Sequence, residues 1–187
     1  MNTLERKHKL ASISRDCFSW SVFHRDRADG DAQLLSHVMR LTDRSHGLKV
    51  LEIGTCRCVG SVILCDVADL VYTLDVASYP EQQKVLDAFQ CGPRVVRLVG
   101  PASLTRTLIA HMRFDVVFVD ADHSHESTVK DFEFALTVSD AVIVHDNCEH
   151  NKGVMSAVAE LQERHPGDWH FEGVFATYKK PVDWINT

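Results

Sequence analysis

Five short apolar runs recur along the chain at intervals of 20 to 27 residues, and longer mixed segments separate them. The runs are Lys49–Ile53, Leu70–Asp75, Arg94–Val99, Phe114–Asp120 and Ala141–His145. Each has 5 to 7 residues and many β-branched side chains, which is typical of strands buried on both faces of a parallel sheet. The pattern predicts an α/β protein with a doubly wound sheet.

The mixed segments predict the connecting helices, because parallel neighbours need a crossover between them. These helices are expected at Val59–Val67, Glu81–Ala88, Ser103–His111, Glu126–Leu136 and Gly153–His165. Two more strand candidates, Trp169–Phe175 and Ala176–Lys180, follow closely enough in sequence to pair as an antiparallel hairpin.

The start of the chain has a different pattern. Met1–Gly30 is polar and irregular, with its apolar residues clustered between Phe18 and Phe23, so we expect an N-terminal extension or lid. Asp31 then begins a segment with an apolar face at helical spacing, which predicts a capped helix as far as Arg44. We therefore expect an extension over residues 1–30 and a single domain over residues 31–187.

The composition narrows the functional classes. At 187 residues and 45% hydrophobic content the chain suits one globular domain, and no apolar run approaches the roughly 20 residues that span a bilayer. A secretory signal is not recognisable at the start, so a cytoplasmic location with reduced cysteines is expected. The net charge of −6 argues against nucleic acid as a partner, because phosphate binding needs an excess of Lys and Arg. We expect a small-molecule substrate and no membrane.

The carboxyl ends of the predicted strands carry the candidate chemistry, since ligands of open α/β sheets bind there. Gly54 follows the first strand in a turn of small residues, and Asp75 ends the second strand 23 residues after Glu52. A carboxylate at this place can accept hydrogen bonds from both ribose hydroxyls of a nucleotide cofactor. A solvated aspartate at a loop start is the alternative.

The fourth and fifth strands also end in polar residues. Asp120, Asp146 and Asn147 could supply three oxygens to an octahedral ion such as Mg²⁺, while a helix cap and a solvated carboxylate are the alternative. Histidines near the same ends could act as a general base, with His123 the first candidate and His145 the second.

These motifs resemble a known family. Val50–Thr55, with the sequence VLEIGT, is similar to the first motif of class I S-adenosylmethionine-dependent methyltransferases. Phe118–Ser124 and Val142–Asn147 resemble later motifs of its compact branch, which includes catechol and caffeoyl-CoA O-methyltransferase-like and cephalosporin hydroxylase-like proteins. The resemblance covers about residues 34–180 and implies a Rossmann-like, mostly parallel seven-stranded sheet that ends in an antiparallel hairpin.

The resemblance also implies roles for particular residues. The cofactor S-adenosylmethionine would be bound by Glu52 and Gly54 with Thr55 and Cys56 of the same loop, by Asp75 on its ribose, by Ser103 on its adenine and by Asp120. In metal-dependent members, Asp120, Asp146 and Asn147 would be the ligands of Mg²⁺ or another divalent cation. Cys58 stands where the family usually has a second glycine, and a side chain there is expected to crowd the cofactor or shift the turn.

The implied function is methyl transfer to a hydroxyl oxygen of a small molecule, assisted by a divalent cation. Two alternatives remain open: a metal-independent methyltransferase with a histidine base, and a non-catalytic nucleoside-binding protein with the same fold. A nicotinamide dehydrogenase is less favoured, because the first loop lacks the G-x-G-x-x-G fingerprint. A homodimer is common among similar proteins, although no feature of this sequence requires one.

Overall fold

A computed structural model describes residues 3–13 and 30–181 of the chain. Its centre is a seven-stranded sheet with the strand order β3-β2-β1-β4-β5-β7-β6. The strands are β1 (Leu48–Ile53), β2 (Ala68–Asp75), β3 (Val95–Val99), β4 (Val116–Val119), β5 (Ala141–Val144), β6 (Asp168–Glu172) and β7 (Phe175–Lys179). The first five pair in parallel, and β7 pairs antiparallel with both β5 and β6. The prediction of a mostly parallel seven-stranded sheet with a C-terminal hairpin is confirmed.

Helices cover both faces of the sheet, because its strands are apolar on both sides. They are α1 (Thr3–Ile13), α2 (Gly30–Thr42), α3 (Val59–Leu64), α4 (Glu81–Ala88), α5 (Ala102–Ile109), α6 (His125–Val138) and α7 (Lys152–Arg164). One buried apolar cluster joins the inner faces of α1 to α4 to the sheet, and a second joins α5, α6 and α7 to its other face. Within the described residues, no helix is long and apolar enough to cross a membrane.

The N-terminal segment contains a helix that the sequence analysis did not predict. Leu10 of α1 is fully buried in the core, and Arg6 is buried although it is charged. The Arg6 guanidinium forms ion pairs with Asp31, 3.2 Å away, and with Asp66. Asp31 lies inside the first turn of α2 and binds Arg6, so its predicted role as the cap before that helix is wrong. Residues 14–29 lie outside the described residues, and a lid there stays a prediction.

The hairpin turns earlier than predicted. Gly173 has a φ of +63° and separates β6 from β7, whereas the apolar pattern placed the break after Phe175. Phe175 belongs to β7 and is buried beside the end of β5, since Val144 pairs with Ala176. β6 runs in the same direction as β5, so its last residue, Glu172, lies at the carboxyl edge of the sheet.

Candidate active site

The chain turns sharply at Gly54, immediately after β1. Gly54 has a φ of +106°, and the N–H groups of Gly54 and Thr55 donate to the carbonyl of Leu74 at 2.9 and 3.2 Å. A Cβ atom at Gly54 would lie 2.0 Å from the carbonyl oxygen of Asp120. The turn requires glycine because the ends of β1 and β4 approach too closely for any side chain.

The loop continues through two cysteines in left-handed conformations. Cys56 has a φ of +42° and Cys58 a φ of +64°. The carbonyl of Cys56 accepts a hydrogen bond of 2.7 Å from the side-chain amide of Gln82, which fixes the loop to α4. Cys58 is fully buried in the core beside α3, and burial raises its pKa to about 12. The thiol therefore lies within the core, and crowding of the cofactor by this side chain stays a prediction.

Asp75 joins this loop to the end of β2. Its carboxylate accepts hydrogen bonds from the backbone N–H of Cys56 at 2.7 Å and of Ala77 at 3.1 Å. A carboxylate has about four lone-pair positions, so two more donors such as ribose hydroxyls can still bind it. The backbone carbonyl of Asp75 accepts from the N–H of Gly100, which brings the start of α5 beside the loop.

Ser103 and Glu52 occupy very different places. Ser103 is exposed in the first turn of α5, on the same side of the sheet edge as Asp75. Glu52 is 1% exposed and lies beneath the loop, where the hydroxyls of Ser61 and Thr73 donate to its carboxyl. Burial raises the pKa of Glu52 to about 8, so it is a neutral acid at pH 7. Contact of either residue with a cofactor stays a prediction.

The neighbouring ends of β4 and β5 bring two acids and two histidines together. Asp120 Oδ1 lies 2.9 Å from His145 Nδ1 and 3.8 Å from His123 Nε2. Asp146 Oδ2 lies 3.3 Å from the same His123 nitrogen, and Asp146 Oδ1 lies 3.5 Å from His145 Nδ1. We refer to Asp120, His123, His145 and Asp146 as the acid–histidine cluster.

The charges of this cluster stabilise one another. Burial alone would raise the pKa of Asp120, but the charges of His145 and His123 and their hydrogen bonds outweigh burial and lower it to about 2. Burial likewise opposes a charge on His145, yet the Asp120 carboxylate raises the pKa of this imidazole above its ordinary value. The interaction with Asp120 also raises the pKa of His123.

The two histidines differ in their access to a substrate. The His145 ring packs against Phe118 and Phe175, with centroid distances of 6.0 and 5.1 Å, and its side chain is 6% exposed. The His123 side chain is 41% exposed, and its Nε2 atom faces the carboxylates of Asp120 and Asp146. His123 is therefore better placed than His145 to exchange a proton with a bound molecule.

Three side chains of the cluster meet the geometric needs of a cation site. One ligand atom from each of Asp120, His123 and Asp146 lies within 4.8 Å of the other two. Carboxylate oxygens suit Mg²⁺ and Mn²⁺, and an imidazole ligand extends the range to Fe²⁺ and Zn²⁺. The residues present thus fit a divalent ion. The structure brings together two of the three predicted ligands, Asp120 and Asp146, and adds His123.

Asn147, the third predicted ligand, follows Asp146 directly. Its backbone N–H donates to the carbonyl of Val174 at 2.8 Å, which fixes this loop to the hairpin. Asp146 has a φ of +60°, a conformation that aspartate tolerates better than most residues. Ligation by Asn147 stays a prediction.

Some residues that shape the site were not identified from sequence. Gly153 lies in the first turn of α7, and a Cβ atom there would lie 2.2 Å from the carbonyl oxygen of His123, so glycine lets the helix pack against the histidine loop. Gln82 holds Cys56 but has no motif that marks it. The D-A-D-H spacing could have suggested His123 as a ligand, because it places an imidazole three residues after Asp120.

Comparison with known proteins identifies the family of the chain. Residues 51–148 match the family model described as a methyltransferase domain, which is more than half of the chain. No curated protein matches the sequence.

Solved structures share the fold at low sequence identity. An O-methyltransferase from Bacillus cereus in complex with SAH is 17% identical with a TM-score of 0.68, over 92% of this chain and 91% of its own. The O-methyltransferase TomG from Streptomyces achromogenes, in complex with SAM, is 20% identical with a TM-score of 0.65, over 95% of this chain and 90% of its own.

A third neighbour belongs to a protein that is not named as an O-methyltransferase. The C-terminal domain of precorrin-6Y C5,15-methyltransferase from Rhodobacter capsulatus is 14% identical with a TM-score of 0.56, over 87% of this chain and 94% of its own. The fold alone therefore does not identify the methyl acceptor. The chain belongs to the methyltransferase-domain family, which confirms the expectation of a class I S-adenosylmethionine-dependent methyltransferase.

Proposed function

We propose that this protein transfers the methyl group of S-adenosylmethionine to a hydroxyl oxygen of a small acceptor, with a divalent cation held at the acid–histidine cluster. The observation that carries the proposal is the position of this cluster. The backbone of Asp120 lies against the Gly54 turn, and its side chain binds His145, so the candidate cation site adjoins the cofactor loop. The O-methyltransferases with similar folds support the choice of oxygen as the acceptor atom.

The chain's own residues would bind and orient the two reactants. Asp75 would hold the ribose, and the Gly54 turn would allow the cofactor to approach the backbone closely. S-adenosylmethionine supplies an activated methyl group, and a cation bound by Asp120 and Asp146 would lower the pKa of a hydroxyl beside it. The protein then has mainly to align the acceptor oxygen and receive its proton.

His123 is the residue we assign to the proton. Its Nε2 atom lies 3.3 Å from Asp146 Oδ2, and this carboxylate would stabilise the imidazolium after proton transfer. A ring nitrogen that binds the cation cannot also accept a proton, so in this role His123 leaves the cation to Asp120 and Asp146. In the metal-independent alternative it acts as the base, and the carboxylates position it.

A substitution at Asp146 separates these possibilities. In Asp146→Ala we expect S-adenosylhomocysteine to bind as in the wild type, while turnover and any thermal stabilisation by Mg²⁺ or Mn²⁺ are lost. Asp168→Ala is the matched control, because Asp168 is an exposed aspartate at the opposite edge of the sheet. Turnover that persists in Asp146→Ala or in excess chelator would remove the metal role.

The non-catalytic alternative has its own outcome. It predicts binding of S-adenosylhomocysteine without methyl transfer to any acceptor in a panel of vicinal diols and phenols. Transfer to one of them would exclude it.

A further inference from the structure

A second cluster of possible metal ligands lies on the other side of Phe175. It consists of His37 from α2 and of His170 and Glu172 from β6, and we call it the edge-strand cluster. Glu172 Oε2 lies 3.9 Å from His37 Nε2 and 3.6 Å from His170 Nε2. Residues 170 and 172 share one face of the strand, because side chains alternate along it. That face is turned towards α2.

The buried member of the cluster has an unsatisfied atom. The His37 side chain is 1% exposed, and within residues 3–13 and 30–181 its Nε2 atom has no hydrogen-bond partner. A buried polar atom without a partner costs about 1–3 kcal/mol, so such an atom calls for a ligand. The carboxylate oxygen at 3.9 Å is too distant for a hydrogen bond.

The separations suit two atoms that bind the same ion. Around a tetrahedral Zn²⁺, with bonds of about 2.0–2.1 Å, the ligand atoms lie roughly 3.4 Å apart. The two distances to Glu172 Oε2 exceed this spacing by about 0.2 and 0.5 Å, and one ligand atom from each of the three residues lies within 4.8 Å of the other two. Burial also lowers the pKa of His37, so at neutral pH its imidazole is uncharged and can offer a lone pair.

The ligand chemistry distinguishes this cluster from the acid–histidine cluster. Two imidazoles and one carboxylate favour Zn²⁺, Co²⁺ or Ni²⁺ over Mg²⁺. The nearby Arg40 guanidinium opposes a bound cation, but the charge of Glu172 acts on His37 more strongly than that of Arg40. The Phe175 ring stands between His37 and His145, at centroid distances of 5.1 Å from each, so the two clusters are separate.

We propose that His37, His170 and Glu172 bind a divalent transition-metal ion that fastens α2 to the edge strand β6. Three protein ligands leave a fourth tetrahedral position for water or another small ligand. The ion would satisfy His37 Nε2 and hold the hairpin, which carries Phe175, against α2. This proposal does not depend on the methyl acceptor or on a metal at the acid–histidine cluster.

Co²⁺ is a suitable probe, because four-coordinate Co²⁺ has strong visible absorption bands that the hexaaquo ion lacks. The titration is made in an Asp146→Ala background, which removes a ligand from the acid–histidine cluster. We expect one equivalent of Co²⁺ to bind with tetrahedral bands and Zn²⁺ to displace it. Adding His170→Ala or Glu172→Gln should weaken binding roughly tenfold or more, since loss of a direct ligand exceeds the usual effect of an outer-shell change.

Two controls keep the test specific. His111→Ala removes an exposed histidine at the opposite edge of the sheet and should leave Co²⁺ binding unchanged. Denaturant unfolding would establish whether the His170 and Glu172 variants fold, and we expect that they do because both side chains are partly exposed. An ion-dependent change in the ¹⁵N shift of His37 Nε2 would identify the buried ligand directly.

Three results would overturn the proposal. They are the absence of tetrahedral Co²⁺ in the Asp146→Ala background, equal weakening of Co²⁺ binding by His111→Ala, or an unchanged His37 shift when Zn²⁺ is bound.

Discussion

Gly54 offers the sharpest structural prediction, because its replacement combines two separable effects. In Gly54→Ala the new methyl group would lie 2.0 Å from the carbonyl oxygen of Asp120 and 2.8 Å from Cα of Ala121. The backbone would also have to hold an alanine at a φ of +106°. The positive φ costs about 1–2 kcal/mol, and overpacking costs about 1–3 kcal/mol. We expect the free energy of unfolding to fall by roughly 2–5 kcal/mol.

Gly47→Ala provides the matched control. Gly47 also has a positive φ, +72°, but no atom lies within 4 Å of its Cβ position. It should lose only the conformational part, about 1–2 kcal/mol, and should bind S-adenosylhomocysteine normally. Urea unfolding and calorimetry measure both properties. Equal destabilisation of the two variants, or unimpaired cofactor binding by Gly54→Ala, would refute the close approach of β1 and β4 as the reason for this glycine.

Three further predictions concern the charged groups. Burial raises the pKa of Glu52 to about 8, so the stability that this residue contributes is complete below about pH 4.5 and is lost as pH rises towards 8. Glu52→Gln should remove this loss. The difference in free energy of unfolding between the two proteins should therefore change by about 2–5 kcal/mol over that pH range. Parallel pH profiles would contradict the assignment. Asp120 and His145 are both charged at pH values between the lowered pKa of Asp120 and the raised pKa of His145. Asp120→Asn should therefore lower the free energy of unfolding by about 2–4 kcal/mol between pH 4 and 6.5, and by less on either side. A loss that does not vary with pH in urea unfolding would argue for packing instead. If His123 is the base, the rate should rise with pH through a pKa above 6.5, and His123→Ala should abolish that rise in initial-rate measurements.

The sheet could be predicted from sequence because its order follows from local patterns and general topology. Five β-branched runs with helical segments between them leave few arrangements, and parallel strands place their carboxyl ends together. Asp75, Asp120 and Asp146 could therefore be assigned to one edge before their distances were known. The exact bounds of the hairpin could not, because the apolar pattern continues through Gly173 and only its left-handed backbone marks the turn.

The less predictable features depend on tertiary contacts. Helix α1 has a polar sequence, and its stability comes from burial of Leu10 and from the ion pairs of Arg6 with residues 25 and 60 positions away. Glu52 was assigned by motif, but only the positions of Ser61 and Thr73 show that its carboxyl lies beneath the loop.

Histidines were the hardest residues to interpret from sequence. No sequence motif connects His37 with His170. Helix α2 and strand β6 are far apart in the chain, and the order of the strands in the sheet brings them together. His123 and His145 lie near the same strand ends, but only the structure shows which of them is exposed.

Binding of S-adenosylmethionine tests the central claim most directly. Isothermal titration calorimetry should be made with the wild type and with Asp75→Asn, whose remaining side-chain oxygen can still accept from the N–H of Cys56. We predict one bound cofactor per chain in the wild type, and binding weakened by about tenfold to a hundredfold in Asp75→Asn, the effect of losing a charged hydrogen-bond acceptor. No binding by the wild type, or equal binding by both proteins, would contradict the cofactor site described at the strand ends.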